Sequence, residues 1–196
     1  MLFANSLAKT DYYVYNYNII LVSGMDSHTR ESEAQMVFHI GDRIAHPLHG
    51  AGIIDRIETR KINGEEREYY ILQLPAGDML VMVPVETCQA IGVRPILESD
   101  EAERLMQAIP DMEVCVTQNW NKRYRENMLK IRSGDLLEVA TVMKGLIERE
   151  RERGLSTGER KMLHSAKQIF ITEIMLSVNE SYEEIEARID RSVAYC

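Results

Sequence analysis

Two periods divide the chain. From Phe38 to Pro84, short runs alternate apolar with polar positions and are broken by turn residues; beyond Pro84, apolar residues recur at helical spacing. In the first part, Arg43-Ile44-Ala45-His46 leads into the Pro- and Gly-containing stretch Pro47 to Gly52, then into a long β-branched run from Gly52 to Arg60. Asn63-Gly64 suits a type I′ hairpin turn, Arg67 to Leu74 supplies the returning strand, and Pro75-Ala76-Gly77-Asp78 turns into Met79 to Val83. Four or five short antiparallel strands predict a small SH3- or Tudor-like β barrel.

The second part predicts an all-α bundle. Glu86 to Ile91 suits a helical turn, and a helix from Asp100 to Ala108 carries Glu101 and Glu103 near its positive end. Pro110 to Gln118 suits a linker. The next helix runs from about Asn119 to Ile131 and stops at Ser133-Gly134; another, capped by Asp135, ends at Gly154. Ser156-Thr157-Gly158-Glu159 and Ser181-Tyr182-Glu183-Glu184 are capping boxes for the last two helices. Leu136, Val139, Ala140, Met143, Leu146 and Ile147 form one apolar face, and Met162, Leu163, Ala166, Ile169 and Phe170 another. The expected fold is therefore α+β with two domains. The final helix, Tyr182 to Val193, is expected as packing or tail.

The first 35 residues lack this patterning. Tyr12 to Val22 is aromatic and β-prone, but too short to cross a bilayer and interrupted by Asn16 and Asn18. No secretory signal pattern is present. A coherent domain pattern begins at Met36-Val37-Phe38, so Met36 (or else Met25) is the expected start, with the upstream part a gene-start error.

A net charge of −8 argues against a nucleic-acid binder, yet its distribution is uneven. Between Gln118 and Arg132 five basic residues face one acid, a net of +4 against −12 for the remainder. A local basic stretch suits a phosphate-facing surface. Cys88, Cys115 and Cys196 are odd in number and form no C-x-x-C, which indicates neither a disulfide framework nor a zinc ribbon, and fits a reducing cytoplasm. His46 and His49 lack further convincing metal ligands, Asp42 and Asp55 being nominal only. No Walker loop, Rossmann glycine pattern, H-E-x-x-H or G-x-S-x-G is present, so neither catalysis nor a cofactor is expected.

Trp120, the sole tryptophan, stands in Thr117-Gln118-Asn119-Trp120-Asn121-Lys122-Arg123-Tyr124-Arg125. One reading makes it a core anchor packed on Tyr124, one turn further on. The other makes it an exposed aromatic at a helix start that favours phosphate, able to stack on an unpaired base or wedge a minor-groove step. Lys122, Arg123 and Arg125 would then face DNA. Glu148 to Arg153 (ERERER) is expected to be a solvated helix end.

The stretches FHIGDRIAHPLHGAGIIDRIETRKINGEEREYYIL, NWNKRYRENMLKIRSGD and ERGLSTGERKML together resemble the CarD/CdnL family of bacterial transcription regulators, from Met36 to about Leu176. The N-terminal part is also similar to the polymerase-binding domain of the transcription-repair coupling factor. The resemblance implies a Tudor-like domain over residues 36–98 that docks on the RNA polymerase β subunit, partly by strand pairing. It implies a helix and linker over 99–118 and a helical DNA-binding domain over 119–196, with 1–35 a poorly ordered extension. It further implies that Trp120 enters the promoter minor groove at the upstream edge of the melted −10 element, with Lys122 and Arg125 on the backbone, stabilising the open complex. Arg60 matches a family arginine that meets the β subunit; Met82 stands where another family polymerase contact falls, so that contact is lost or altered here, and Arg56 is carried with them. A monomer is expected, in the cytoplasm and on the nucleoid through polymerase, without a membrane. A protein–protein adaptor without DNA contact is the alternative, and it predicts a buried Trp120.

Overall fold

The computed structural model describes residues 37–62, 64–75, 79–114 and 119–194. Residues 1–36 lie outside that set, with the start-site expectation and the Tyr12–Val22 run. So do Asn63 of the hairpin turn, 76–78 of the next turn, 115–118 of the linker and the last two residues.

The layout is α+β with two domains. β1 (Arg43–His46), β2 (Gly50–Ile62), β3 (Glu65–Gln73) and β4 (Leu80–Pro84) form an antiparallel meander, and β5 (Arg94–Pro95) joins beside β1. The order β4-β3-β2-β1-β5 is that of an open sheet, so the expected closed barrel is corrected. β5, with only Arg94 and Pro95, pairs solely with β1, and no pairing closes the sheet from β4 to β5 among the described residues.

β2 and β3 pair from Ile53↔Gln73 to Ile62↔Glu65, with a bulge between Ile54 and Arg56. Side chains alternate between sheet faces, so one extra residue exchanges them. Ile54 pairs with Leu72 on the core face; past the bulge Ile57 pairs with Tyr70 on that same face, and Arg56, Glu58 and Arg60 emerge on the other. The sheet core is Phe38, Ile44, Ile54, Tyr70, Leu72, Leu74, Val81, Val83, Cys88 and Val93. Burial raises the Cys88 thiol above its ordinary pKa.

Five helices follow: α1 (Ser99–Ala108), α2 (Trp120–Arg132), α3 (Leu136–Arg153), α4 (Thr157–Val178) and α5 (Tyr182–Ala194). The predicted caps are present. Asp135 accepts from Leu137 N, Ser156 and Glu159 form a reciprocal box, Ser181 and Glu184 form another, and Gly154 ends α3 with φ +76°. Asn179 closes α4 in the left-handed region at φ +59°. The predicted apolar faces of α3 and α4 meet in one core, which Ile185, Ile189 and Val193 of α5 complete, so the last helix is packing and not a loose tail. Glu86 to Ile91 gives only a 3-10 turn, Val85–Thr87, followed by turns.

The sheet rests on the C-terminal half of α4. Gly50 has φ +83°, and a Cβ there would sit 2.2 Å from Thr172 Oγ1, so the position admits only glycine without rearrangement. Thr172 Oγ1 accepts from Ala51 N at 2.9 Å and donates to Gln168 O at 2.7 Å. Glu173 is 1% exposed, pairs with Arg94 at 2.5 Å and accepts from Leu97 N at 3.2 Å. Arg43 donates to Leu176 O, and Ser177 donates to Leu97 O.

Candidate functional site

The outward face of the sheet brings the three predicted polymerase-facing positions together. Arg56 pairs with Ile71 across β2–β3, and Ile71 pairs with Met82 across β3–β4, so Arg56, Ile71 and Met82 form one row. Cross-strand partners share a face. Four residues along β2 from Arg56, beyond the Glu58–Tyr69 pair, Arg60 and Arg67 form a further row on the same side. Glu58 stands between the arginines, accepting from Arg56 Nε at 2.6 Å and Arg60 Nε at 2.6 Å. These hydrogen bonds hold its carboxyl below the ordinary range and raise the Arg56 guanidinium, which also meets Asp55. On this face Arg56, Glu58 and Arg60 form a ladder of alternating charge on β2, beside the buried Ile71 and Tyr69 of β3.

The second surface is the start of α2. Asn119 caps the helix, its side-chain oxygen accepting from Lys122 N at 3.1 Å. Trp120 is 45% exposed and stacks on Tyr124, with ring centroids 5.4 Å apart and planes 24° apart. Both earlier readings of Trp120 are thus half met: it packs on Tyr124, but it is no core anchor. Lys122 and Arg125 are exposed on other sides of the helix; Lys122 lies 3.7 Å from Glu126, and Arg125 Nε donates to Asn121 O.

Arg123 departs from its expected place. It is 8% exposed, and its Nη2 donates to Glu159 Oε1 at 2.9 Å. At i+3 from Trp120 it faces the bundle, so it is not available as a phosphate contact. The ERERER run is exposed from Glu150 to Arg153, as expected of a solvated helix end, but Arg149 is turned inward. Arg149 lies with Nε 2.9 Å from the same Glu159 oxygen, and Arg151 donates to Val193 O and Asp190 O on α5.

Sequence reasoning missed Glu159 and Glu173 as buried groups. The capping box pointed to Glu159 but says nothing of its burial; Glu173, amid the apolar residues of α4, gave a signal only by interrupting them. His46 and His49 lie with ring centroids 4.6 Å apart and planes tilted by 46°, and burial, then repulsion from His49, lowers His46 to about 4. Among the described residues no cluster of His, Cys, Asp and Glu is placed to hold a metal ion, and no helix is long and apolar enough to cross a membrane.

An open β domain buttressed by a helical bundle, with a charged sheet face and an exposed aromatic helix start, defines a two-domain, two-surface protein. The family description CarD-like/TRCF RID domain matches residues 38–97, and that of the CarD C-terminal domain matches residues 104–190. The chain is 33% identical over 138 residues to YdeB, a candidate transcription factor of Bacillus subtilis (strain 168), covering 70% of this chain and 90% of that one. The chain belongs to the CarD-like family of transcription factors.

Proposed function

We propose that this protein holds the RNA polymerase β subunit through the outward sheet face, with Arg56, Arg60 and Met82 at the contact, and promoter DNA through α2. In this reading the sheet is a Tudor-like domain, the action is non-catalytic, and the protein stabilises the open complex at the upstream edge of the melted region. The observation that carries it is the half-exposed Trp120–Tyr124 stack, flanked by exposed Lys122 and Arg125. The adaptor alternative predicts a buried Trp120, and the exposure of this indole beside two basic side chains favours DNA.

An aromatic face of this kind contributes about 1–3 kcal/mol when a base stacks on it. A wedge shifts the equilibrium only by its preference for melted over paired DNA, and about 1.4 kcal/mol of preference shifts it tenfold. Tethering through polymerase raises the local DNA concentration, so α2 need not bind tightly alone. This reconciles a chain of net charge −8 with work at DNA.

The test is binding to a promoter fragment carrying 2-aminopurine at the upstream melted position, with and without polymerase, across a salt series. The expected result is weak, salt-sensitive DNA binding alone and a polymerase-dependent fluorescence change that Trp120→Ala abolishes. A fluorescence change unaffected by Trp120→Ala, or polymerase binding that survives charge reversal at both Arg56 and Arg60, would count against the assignment.

A further inference from the structure

The first half of α2 has a narrow hold on the bundle. Arg123 and Ile131 are its buried side chains among the described residues, and Ile131 belongs to the far end. Beside Arg123, the Trp120 and Tyr124 rings lie over Gly158: Trp120 Cζ2 and Tyr124 Cε2 are each 3.8 Å from where its Cβ would be. Trp120, Arg123 and Tyr124, at i, i+3 and i+4, thus all turn towards the start of α4.

There a single carboxylate gathers the surrounding charges. Glu159, 4% exposed, accepts from Ser156 N at 3.0 Å and Ser156 Oγ at 2.8 Å through Oε2. Its Oε1 receives Arg123 Nη2 and lies beside Arg149 Nε, both at 2.9 Å. Arg149 Nε and Nη1 are buried without a directed hydrogen bond, so Glu159 supplies the counter-charge for that guanidinium as well. Burial pushes the Glu159 carboxyl up, but the Ser156 bonds and Arg123 outweigh it and hold it below its ordinary range.

We propose that Glu159 is the positioning residue for the Trp120–Tyr124 stack: through Arg123 it fixes the angle at which the start of α2 presents the indole. Its effect on promoter DNA rests on the function proposed above; its effect on the indole does not. Without the anion, Arg123 and Arg149 lose the carboxylate that both face, and the less costly response is for Arg123 to turn towards water, taking the start of α2 with it. Glutamine at N3 still serves a capping box, so Glu159→Gln removes the charge and spares the cap.

Because Trp120 is the sole tryptophan, its fluorescence reports the outcome in the full chain without DNA. Glu159→Gln is expected to red-shift the emission and make the indole more quenchable by acrylamide, with helical circular dichroism retained. Arg123→Lys, which keeps the charge but loses the planar fork, shifts both in the same direction by less. Ser181→Ala, which breaks the equivalent capping box of α5, leaves the emission as in the wild type. With polymerase and promoter, Glu159→Gln is expected to cut the gain in open-complex lifetime by roughly threefold to tenfold, the scale of coupling through packed networks, without loss of polymerase binding. Wild-type emission and quenching in folded Glu159→Gln would overturn the proposal; should that variant not fold, wild-type fluorescence in Arg123→Lys would do so. If Trp120→Ala leaves the lifetime unchanged while Glu159→Gln shifts the fluorescence, the DNA reading fails and the positioning role stands.

Discussion

Each end of α4 carries a buried glutamate, and the two fasten their surroundings differently. Glu173 works among many ties: Thr172 to the Ala51 amide, Arg43 to Leu176 O, Ser177 to Leu97 O, and Gly50 pressed against Thr172. Several of these engage backbone groups, so the seating of the sheet on the bundle is distributed. Glu159 instead faces two arginines from two helices, and among the described residues the first turns of α2 bury only Arg123. The difference separates a joint that sets the distance between the two surfaces from one that sets the attitude of a single side chain.

The largest expected effect strikes the first joint. Gly50→Val would force both a left-handed backbone and a collision with Thr172. A loss of about 3 kcal/mol or more is expected in denaturant unfolding, on the scale of overpacking and backbone strain; a loss below about 1 kcal/mol would mean that the seam is soft. Next, Glu173→Ala takes the anion from Arg94, which is about a third exposed and keeps its bonds to Pro95 O and Gly134 O, at a cost of about 2 kcal/mol. It should leave Trp120 emission unmoved. Movement there would erase the distinction between the two ends of α4.

A third prediction concerns acid. Burial and His49 hold folded His46 near 4, below the ordinary 6.5. Between those values the unfolded chain takes up a proton that the folded imidazole refuses. Stability should therefore fall as pH drops through about 6.5 towards about 4, by about 2 kcal/mol from pH 7.5 to pH 5. His49, also lowered by burial, adds in the same direction. The denaturation midpoint of His46→Gln at the two pH values checks this, and an undiminished pH dependence would assign the acid sensitivity elsewhere.

The smallest effect falls on the second joint. A Cβ at Gly158 would meet both rings at 3.8 Å, an ordinary contact, so Gly158→Ala should leave Trp120 emission near wild type. It should add about 0.5 kcal/mol of helix stability. A large red shift would show that the rings ride closer to α4 than this geometry has them.

Much of this organisation was legible in the sequence where local chemistry decides it. Capping residues fixed the limits of α3 and α4, and apolar periodicity gave their core faces. The three-residue step from Ile54 to Ile57 is the trace of the bulge, but alternation alone does not say which of Asp55 and Arg56 is the extra residue. Openness of the sheet was not legible, because closure depends on whether β4 and β5 meet in space. Trp120, Lys122 and Arg125 stood out by composition, and their exposure follows it. Arg123 did not separate from its neighbours: its burial comes from Glu159, thirty-six residues on, a tertiary partner that no local pattern names. Within ERERER the solvated end holds for Glu150 to Arg153, and Arg149 departs from it for the same reason, since its partner Glu159 lies on α4.

The most direct test of the account is the lifetime of the open complex on a ribosomal RNA promoter with cognate polymerase, after a heparin challenge, comparing this protein with its Trp120→Ala variant. The account predicts that the protein lengthens the lifetime and that the variant, still bound to polymerase, does not. An equal lengthening by both would contradict it.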